Sequence, residues 1–280
     1  SRPRLVSRGV PALPPRGNSM TDTSAPTSLC VDGAHALLWE SVGAPRMALL
    51  FVPGNPGLCG YYAEYLAYLH VHLDRRVVIL AKSSLGHDRP CARTDEAPPA
   101  TGQKRVGGLD WPYYTLQDQI ASHRRALAYL CARAPGVPIV IVGHSIGAYM
   151  ALNLLGSNPI AEVQLFFPTI SFMDRAPRTR RVRPVLAAPM LLLVWCLSCI
   201  LSWLPLAWVQ WIVCRATGQS ARGAHITAEL VRRPASLYHV LGMAIEEFRD
   251  VCEITADVRA AVHRSPVKLR VYWGQGDSVR

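Results

Sequence analysis

Ile139-Val140-Ile141-Val142-Gly143-His144-Ser145-Ile146-Gly147-Ala148-Tyr149-Met150-Ala151 is the stretch on which the fold turns. Four β-branched residues in a row suit a strand buried on both faces of a parallel sheet. Gly143-x-Ser145-x-Gly147 follows with no spacer, and an Ala/Met/Leu-rich run fit for a helix comes next. Strand, tight turn and helix are the setting of a nucleophile elbow. The turn is so sharp that the positions two before and two after the serine must lack bulk, a demand that Gly143 and Gly147 meet. It lifts the Ser145 hydroxyl above the sheet edge and aims the unpaired N–H groups of the helix N-terminus at the same spot. Ser145 is therefore the expected nucleophile of an acyl transfer. The competing reading is a Gly-rich strand-to-helix turn with an idle serine.

Outward from the elbow, strands are expected over 34–39, 47–52, 77–80, 163–167 and 267–273, and helices over 61–73 and 116–131. Tyr62, Leu66, Leu69 and Leu73 recur at helical spacing in the first helix. Leu116, Ile120, Leu127 and Leu130 share a face of the second, with His123, Arg124 and Arg125 largely outside it. Residues 82–111 read as a long loop. Strands alternating with helices predict right-handed crossovers and a mostly parallel sheet flanked by helices, an α/β class. The 280 residues suffice for one such domain. Residues 1–29 are expected as a disordered tail rich in Arg, Pro and Ser, without the apolar core of a signal peptide; Met20 would be a natural start. Residues 30–280 are expected as a single domain, its core from 30–170 and 217–280 and an insertion over 171–216.

The net charge of +11 draws on Arg2, Arg4, Arg8 and Arg16 in the acid-free tail. No nucleic-acid recognition motif accompanies these charges, and an anionic lipid surface is the better-matched partner. The eight cysteines are scattered, and the one close pair, Cys196-x-x-Cys199, sits in an apolar run without a second pair. Zinc or redox chemistry is not expected there, no metal or cofactor is implied, and a reducing, cytosol-facing compartment is the simplest assumption.

Between Arg183 and Arg215 no residue is charged, and Leu, Ile, Val and Trp dominate. A helix spanning a bilayer needs about 20 such residues. Pro205, however, should break the helix near its middle. Arg175, Arg178, Arg180, Arg181 and Arg183 on one flank, and Arg215 and Arg222 on the other, suit a segment that enters and leaves from one face. The block is expected as a monotopic hairpin with Trp rings at the headgroups, or as a pair of cap helices on a water-soluble enzyme.

A serine needs a base to take its proton and a carboxylate to orient that base, in the chain order Ser, acid, His for this class. Asp277, after the last strand and two glycines, is the expected acid, with Asp174 in reserve. None of the nine histidines follows Asp277. The base is therefore expected to be absent from these 280 residues, and the last part of the fold with it. His144 should point away from the hydroxyl, His87 is placed near the pocket, and His263 at the surface. The oxyanion hole needs two fixed N–H donors. Ile146 supplies one. In the loop Pro53-Gly54-Asn55-Pro56-Gly57 the prolines have no N–H, which leaves Asn55 as the second.

Phe51-Val-Pro-Gly-Asn-Pro-Gly57, Gly143-His-Ser-Ile-Gly-Ala-Tyr149, Leu165-Phe-Phe-Pro-Thr-Ile170 and Tyr272-Trp-Gly-Gln-Gly-Asp277 together resemble the lipid droplet-associated hydrolases of animals, from about residue 30 onward. The resemblance implies an α/β-hydrolase fold with a helical cap or anchor. It also implies a serine lipid-ester hydrolase acting on sterol esters, and a place on lipid droplets and the cytosolic face of the endoplasmic reticulum. On it, Ser145 matches the nucleophile and Asp277 the acid, while the family histidine lies in a Pro-His-Ala context that this chain does not contain. A truncated, inactive form is one expectation. A non-catalytic tether with a hydrolase-like fold is the alternative. Oligomeric state is not legible.

Overall fold

The structure, a computed structural model, describes residues 25–89, 91, 97–106, 109–156, 160–171, 188–264 and 266–273. In chain order the elements are β1 (Thr27–Val31), β2 (Ala34–Trp39), β3 (Met47–Val52), a 3-10 turn (Cys59–Tyr62), α1 (Ala63–His72) and β4 (Val77–Lys82). Next come β5 (Gly102–Val106), β6 (Leu109–Tyr113), α2 (Leu116–Arg133), β7 (Ile139–His144), α3 (Ile146–Leu152) and β8 (Ile160–Phe166). The last are α4 (Ala188–Trp203), α5 (Leu206–Thr217), α6 (Ala221–Val231), α7 (Pro234–Asp250), α8 (Ala256–Arg264) and β9 (Lys268–Tyr272).

Seven strands form one sheet in the order β1-β2-β4-β3-β7-β8-β9. β1 and β2 are antiparallel to their neighbours, and the other five run parallel. The unbroken apolar runs of the central strands follow from burial on both faces. Ala48, Leu50 and Val52 of β3 pack on the side of α2 and α3, whereas Leu49 and Phe51 pack on the side of α1. α2 buries Leu116, Ile120, Leu127 and Leu130 as its spacing demands, and Thr115 with Asp118 closes its N-terminus in a reciprocal capping box.

The register sets the site. Val52 lies opposite Gly143, and His144 opposite Phe166, so the segments leaving β3, β7 and β8 emerge side by side at one sheet edge. The helices α4 to α7 pack on one another over this part of the molecule, with Val209, Val213, Ala224 and Ala228 as their own small core.

Four expectations change. Strand β1 begins at Thr27, within the stretch expected as tail, and Asp32-Gly33 makes a two-residue turn with both residues at positive φ, the geometry that pairs β1 with β2. A β5–β6 hairpin occupies part of the stretch expected as loop. His123 is fully buried and lies on the packed side of α2. Cys30 and Cys91, 61 residues apart in sequence, form a disulfide, which the assumption of a reducing compartment did not anticipate. The break at Pro205 stands as expected: it caps the N-terminus of α5, and α4 ends at Trp203. Among the described residues no helix is long and apolar enough to cross a membrane.

Candidate active site

Ser145 sits at φ 54° and ψ −124°, a conformation that an L-residue rarely adopts and that the surrounding structure must impose. Three backbone hydrogen bonds impose it. The Ser145 N–H donates to Phe166 O (3.0 Å), and its carbonyl accepts from Ala148 N–H (3.0 Å) and Thr169 N–H (3.1 Å). The glycines are required by contact. A Cβ on Gly143 would lie 2.5 Å from Gly147 O, and one on Gly147 would lie 2.6 Å from Pro53 O. The hydroxyl is half-buried, and Thr169 Oγ1 lies 3.3 Å from it.

The loop after β3 closes against the elbow. A Cβ on Gly54 would stand 2.9 Å from Ser145 Cβ. Tyr62 fixes this approach: its hydroxyl accepts the Gly54 N–H (3.3 Å) and donates to His144 Nδ1 (2.9 Å). Burial lowers the His144 pKa and raises that of Tyr62, so both stay neutral near pH 7. His144 thus points away from the hydroxyl, as expected. With the Gly54 N–H taken, the Asn55 N–H is free of any acceptor among the described residues. The Ile146 N–H, first in α3, has no carbonyl four residues back within its helix. Neither expected donor is thus taken up by a backbone acceptor among the described residues. His87 lies beneath the loop and donates from Nδ1 to Pro56 O (2.8 Å). Burial holds it neutral, with its pKa down to about 3.

His263 is exposed. Asp277 and Asp174 lie outside the described residues, so the acid is not placed, and among the described residues no imidazole is bonded to the Ser145 hydroxyl. One group escaped the sequence reading. Glu247 of α7 is buried beside Asn55, whose side-chain Nδ2 donates to Val240 O (3.0 Å). Burial pushes the Glu247 carboxyl up to about 8, against a weaker opposing hydrogen bond from Asn55. A Glu-Glu pair on an amphipathic helix reads as solvated from sequence, and only the packing of α7 over the oxyanion loop reveals it.

Residues 45–279 match the lipid-droplet associated hydrolases. The chain belongs to that family. Its relative from Homo sapiens, named lipid droplet-associated hydrolase, is 31% identical over 156 residues, 52% of this chain and 45% of the relative. The relative from Gallus gallus, of the same name, is 25% identical over 249 residues, 85% of this chain and 72% of the relative. The human match thus spans about half of that relative's length. Among solved structures, the haloalkane dehalogenase DatA from Agrobacterium tumefaciens C58 superposes with a TM-score of 0.55 at 15% identity, covering 88% of this chain and 77% of that one. The architecture is the α/β-hydrolase fold. The matched stretch of the lipid-droplet associated hydrolase family takes in the Gly54–Asn55 loop after β3, the elbow and both apolar helices.

Proposed function

We propose that this member of the family is a serine hydrolase that cleaves apolar carboxylic esters, sterol esters among them, at a lipid surface. The observation that carries the reading is the forced conformation of Ser145 against the Gly54 turn, and the N–H groups of Asn55 and Ile146 are assigned as the two oxyanion donors. A hydroxyl lifted into that position attacks a carbonyl carbon, and the two donors receive the charge that develops on its oxygen. The acyl group passes to Ser145, the alcohol leaves, and water releases the acid. Asp277 is assigned as the carboxylate that orients the base. The base itself is assigned to a histidine that follows Asp277 in the family order. Thr169 steers the resting hydroxyl.

The lipid surface is assigned to the exposed side of α4 and α5. Leu193, Leu197, Ile200, Trp203, Trp208 and Trp211 point outward there. The two helices are 16 and 12 residues long, too short to span, and their break at Pro205 lets both lie in a headgroup layer. Such a surface suits a lipid droplet or the cytosolic face of the endoplasmic reticulum, where ester substrate enters without crossing water. The insertion over 171–216 serves as cap and anchor.

A fluorophosphonate probe tests the chemistry. Protein that carries the histidine base should be labelled at Ser145, its Ser145→Ala variant should not, and labelling should reside on the peptide that carries the elbow. Labelling that survives Ser145→Ala would overturn the assignment. Folded protein that carries the base and stays unlabelled would favour the non-catalytic tether.

A further inference from the structure

Two strands across the sheet from β7, around the ends of β2 and β4, three side chains of different chemistry meet. His35 is the second residue of β2, Cys59 opens the 3-10 turn, and Asp88 follows β4. His35 Nδ1, Cys59 Sγ and Asp88 Oδ2 all lie within 4.8 Å of one another. His35 Nδ1 stands 3.0 Å from Asp88 Oδ2 and 3.6 Å from Cys59 Sγ. Bonds of about 2.0–2.3 Å in a tetrahedron put neighbouring ligand atoms roughly 3.3–3.8 Å apart. The cluster needs only small shifts to reach that geometry.

We propose that His35, Cys59 and Asp88 form a zinc site, a site independent of the hydrolase reading. Three further observations support it. First, each outer atom already has the partner that an outer shell supplies. His35 Nε2 faces Ser28 Oγ at 2.9 Å, which leaves Nδ1 to bind metal, and Asp88 Oδ1 accepts the Arg89 N–H at 2.7 Å. Ser83 Oγ lies 3.2 Å from Cys59 Sγ and 2.9 Å from Asp88 Oδ2 and accepts the Cys59 N–H at 3.0 Å. Second, the framework is tied. The Ser83 N–H donates to His35 O (2.8 Å) and the Ser84 N–H to Gly57 O (2.7 Å). The Cys30–Cys91 disulfide joins the strand residue opposite His35 to the segment just past Asp88. Third, Cys59 is buried while the His35 and Asp88 side chains are 30% and 17% exposed, so the fourth position opens toward water.

One thiolate, one imidazole and one carboxylate select a borderline-soft divalent cation and disfavour magnesium or calcium. Binding forms three bonds to the metal and expels the Cys59 thiol proton and any proton on His35 Nδ1. The metal would clamp the turn that carries Tyr62, and through Tyr62 the Gly54–Asn55 loop.

The full 280-residue chain, stripped with a chelator and kept free of thiol reductant, is titrated with Zn2+ alone by calorimetry and with Co2+ by absorbance. One equivalent per chain is expected, with a thiolate-to-cobalt charge-transfer band. Cys59→Ser should abolish the band, and His35→Ala or Asp88→Asn should weaken zinc binding by more than the roughly 10–100-fold that loss of an outer-shell partner costs. Circular dichroism confirms that each variant is folded. Replacing Cys196 and Cys199 with Ser should change nothing. Absence of saturable zinc uptake by the native chain overturns the proposal. So does an unaltered cobalt spectrum in Cys59→Ser, or one lost on replacing Cys196 and Cys199.

Discussion

Burial of an acid with no cation beside it makes Glu247 titrate far from its ordinary value. Its carboxyl is held protonated up to about pH 8, whereas the same group in the unfolded chain ionises near 4.5. Between those values the folded state keeps a proton that the unfolded state has lost. The contribution is therefore fully present below about 4.5 and is lost as pH rises through about 8. Asn55 Oδ1 and Glu247 Oε1 are both buried without a partner, so the retained proton adds a donor beside an amide oxygen that has none. Glu247→Gln keeps a donor at every pH. The expected outcome is a variant as stable as the native protein at pH 4.5 and more stable at pH 9 by on the order of a few kcal/mol. Urea midpoints at the two values check it, and a gap that is the same at both would refute the protonated state. At this scale the elbow was legible in sequence because Gly143, Ser145 and Gly147 are adjacent and the turn tolerates nothing else. Asn55 was assigned by elimination, since prolines carry no N–H. Glu247, and the cluster of His35, Cys59 and Asp88, were not. Their partners come from segments far apart in sequence, and no local spacing announces the meeting.

Individual elements were legible where one face or one residue type decides them. β3 and β7 are buried on both sides and read as continuous apolar runs, and α2 carries a single buried stripe. The β5–β6 hairpin was not, because Gly102–Val106 carries a single large apolar residue, Val106, and Pro112 interrupts the alternation of Leu109, Trp111 and Tyr113. The paired helices α4 and α5 lie between these cases. Pro205 announced their break, but which side faces outward follows only from packing. Leu191 and Val209 turn inward, Ser198 Oγ donates to Val231 O (2.6 Å), and Arg232 donates to the Leu201 and Ser202 carbonyls at the end of α4. Trp203 is 89% exposed and Trp211 66%, with Leu193 and Trp208 also outward. Substituting Ser for Leu193, Trp203, Trp208 and Trp211 should therefore leave the fold intact. It should also release the protein from neutral-lipid emulsions coated with phospholipid. Each large side chain contributes roughly 1.5–3 kcal/mol when buried, so four outweigh the pull of the flanking arginines. Flotation of the variant with the emulsion, at the level of the native protein, would show that another surface binds lipid.

For the molecule as a whole, stability on the acid side is governed by bases buried away from counter-charge. Burial holds His87 down to about 3 and His239 down to about 4, and keeps His123 well below its ordinary 6.5, with the nearby Lys82 adding to the effect on His123. In the unfolded chain all three take up protons as pH falls through 6.5, while the folded state refuses them. The unfolded state then binds more protons, and stability is lost as pH falls from about 6.5 toward 4. Glu247 opposes this with a proton that only the folded state holds between 4.5 and 8, and His35, raised to about 10 chiefly by its bond to Asp88, holds a second from 6.5 upward. Lys82, lowered by burial to about 7, is charged in both states below that value and adds nothing on the acid side. Above 7 its effect runs against that of Glu247, because the folded state there releases a proton that the unfolded lysine keeps to about 10.5. The expected profile declines above pH 7, where the protons held by His35 and Glu247 outnumber the one that Lys82 releases. It is steep below 6.5, where at least two net protons give on the order of 2–3 kcal/mol per pH unit or more, since burial lowers His70 and His144 as well. A domain with an ordinary margin of about 5–15 kcal/mol loses much of it within two such units. His123 offers the sharpest check, since both of its ring nitrogens are buried without a partner among the described residues. His123→Leu should raise stability at pH 5 more than at pH 7.5, and should reduce the acid slope by about 1.4 kcal/mol per pH unit, the share of one proton. Urea midpoints from pH 4.5 to 8 would show it. An acid limb as steep in the variant as in the native protein would mean that His123 is already charged in the fold, and that the buried bases do not set its acid limit.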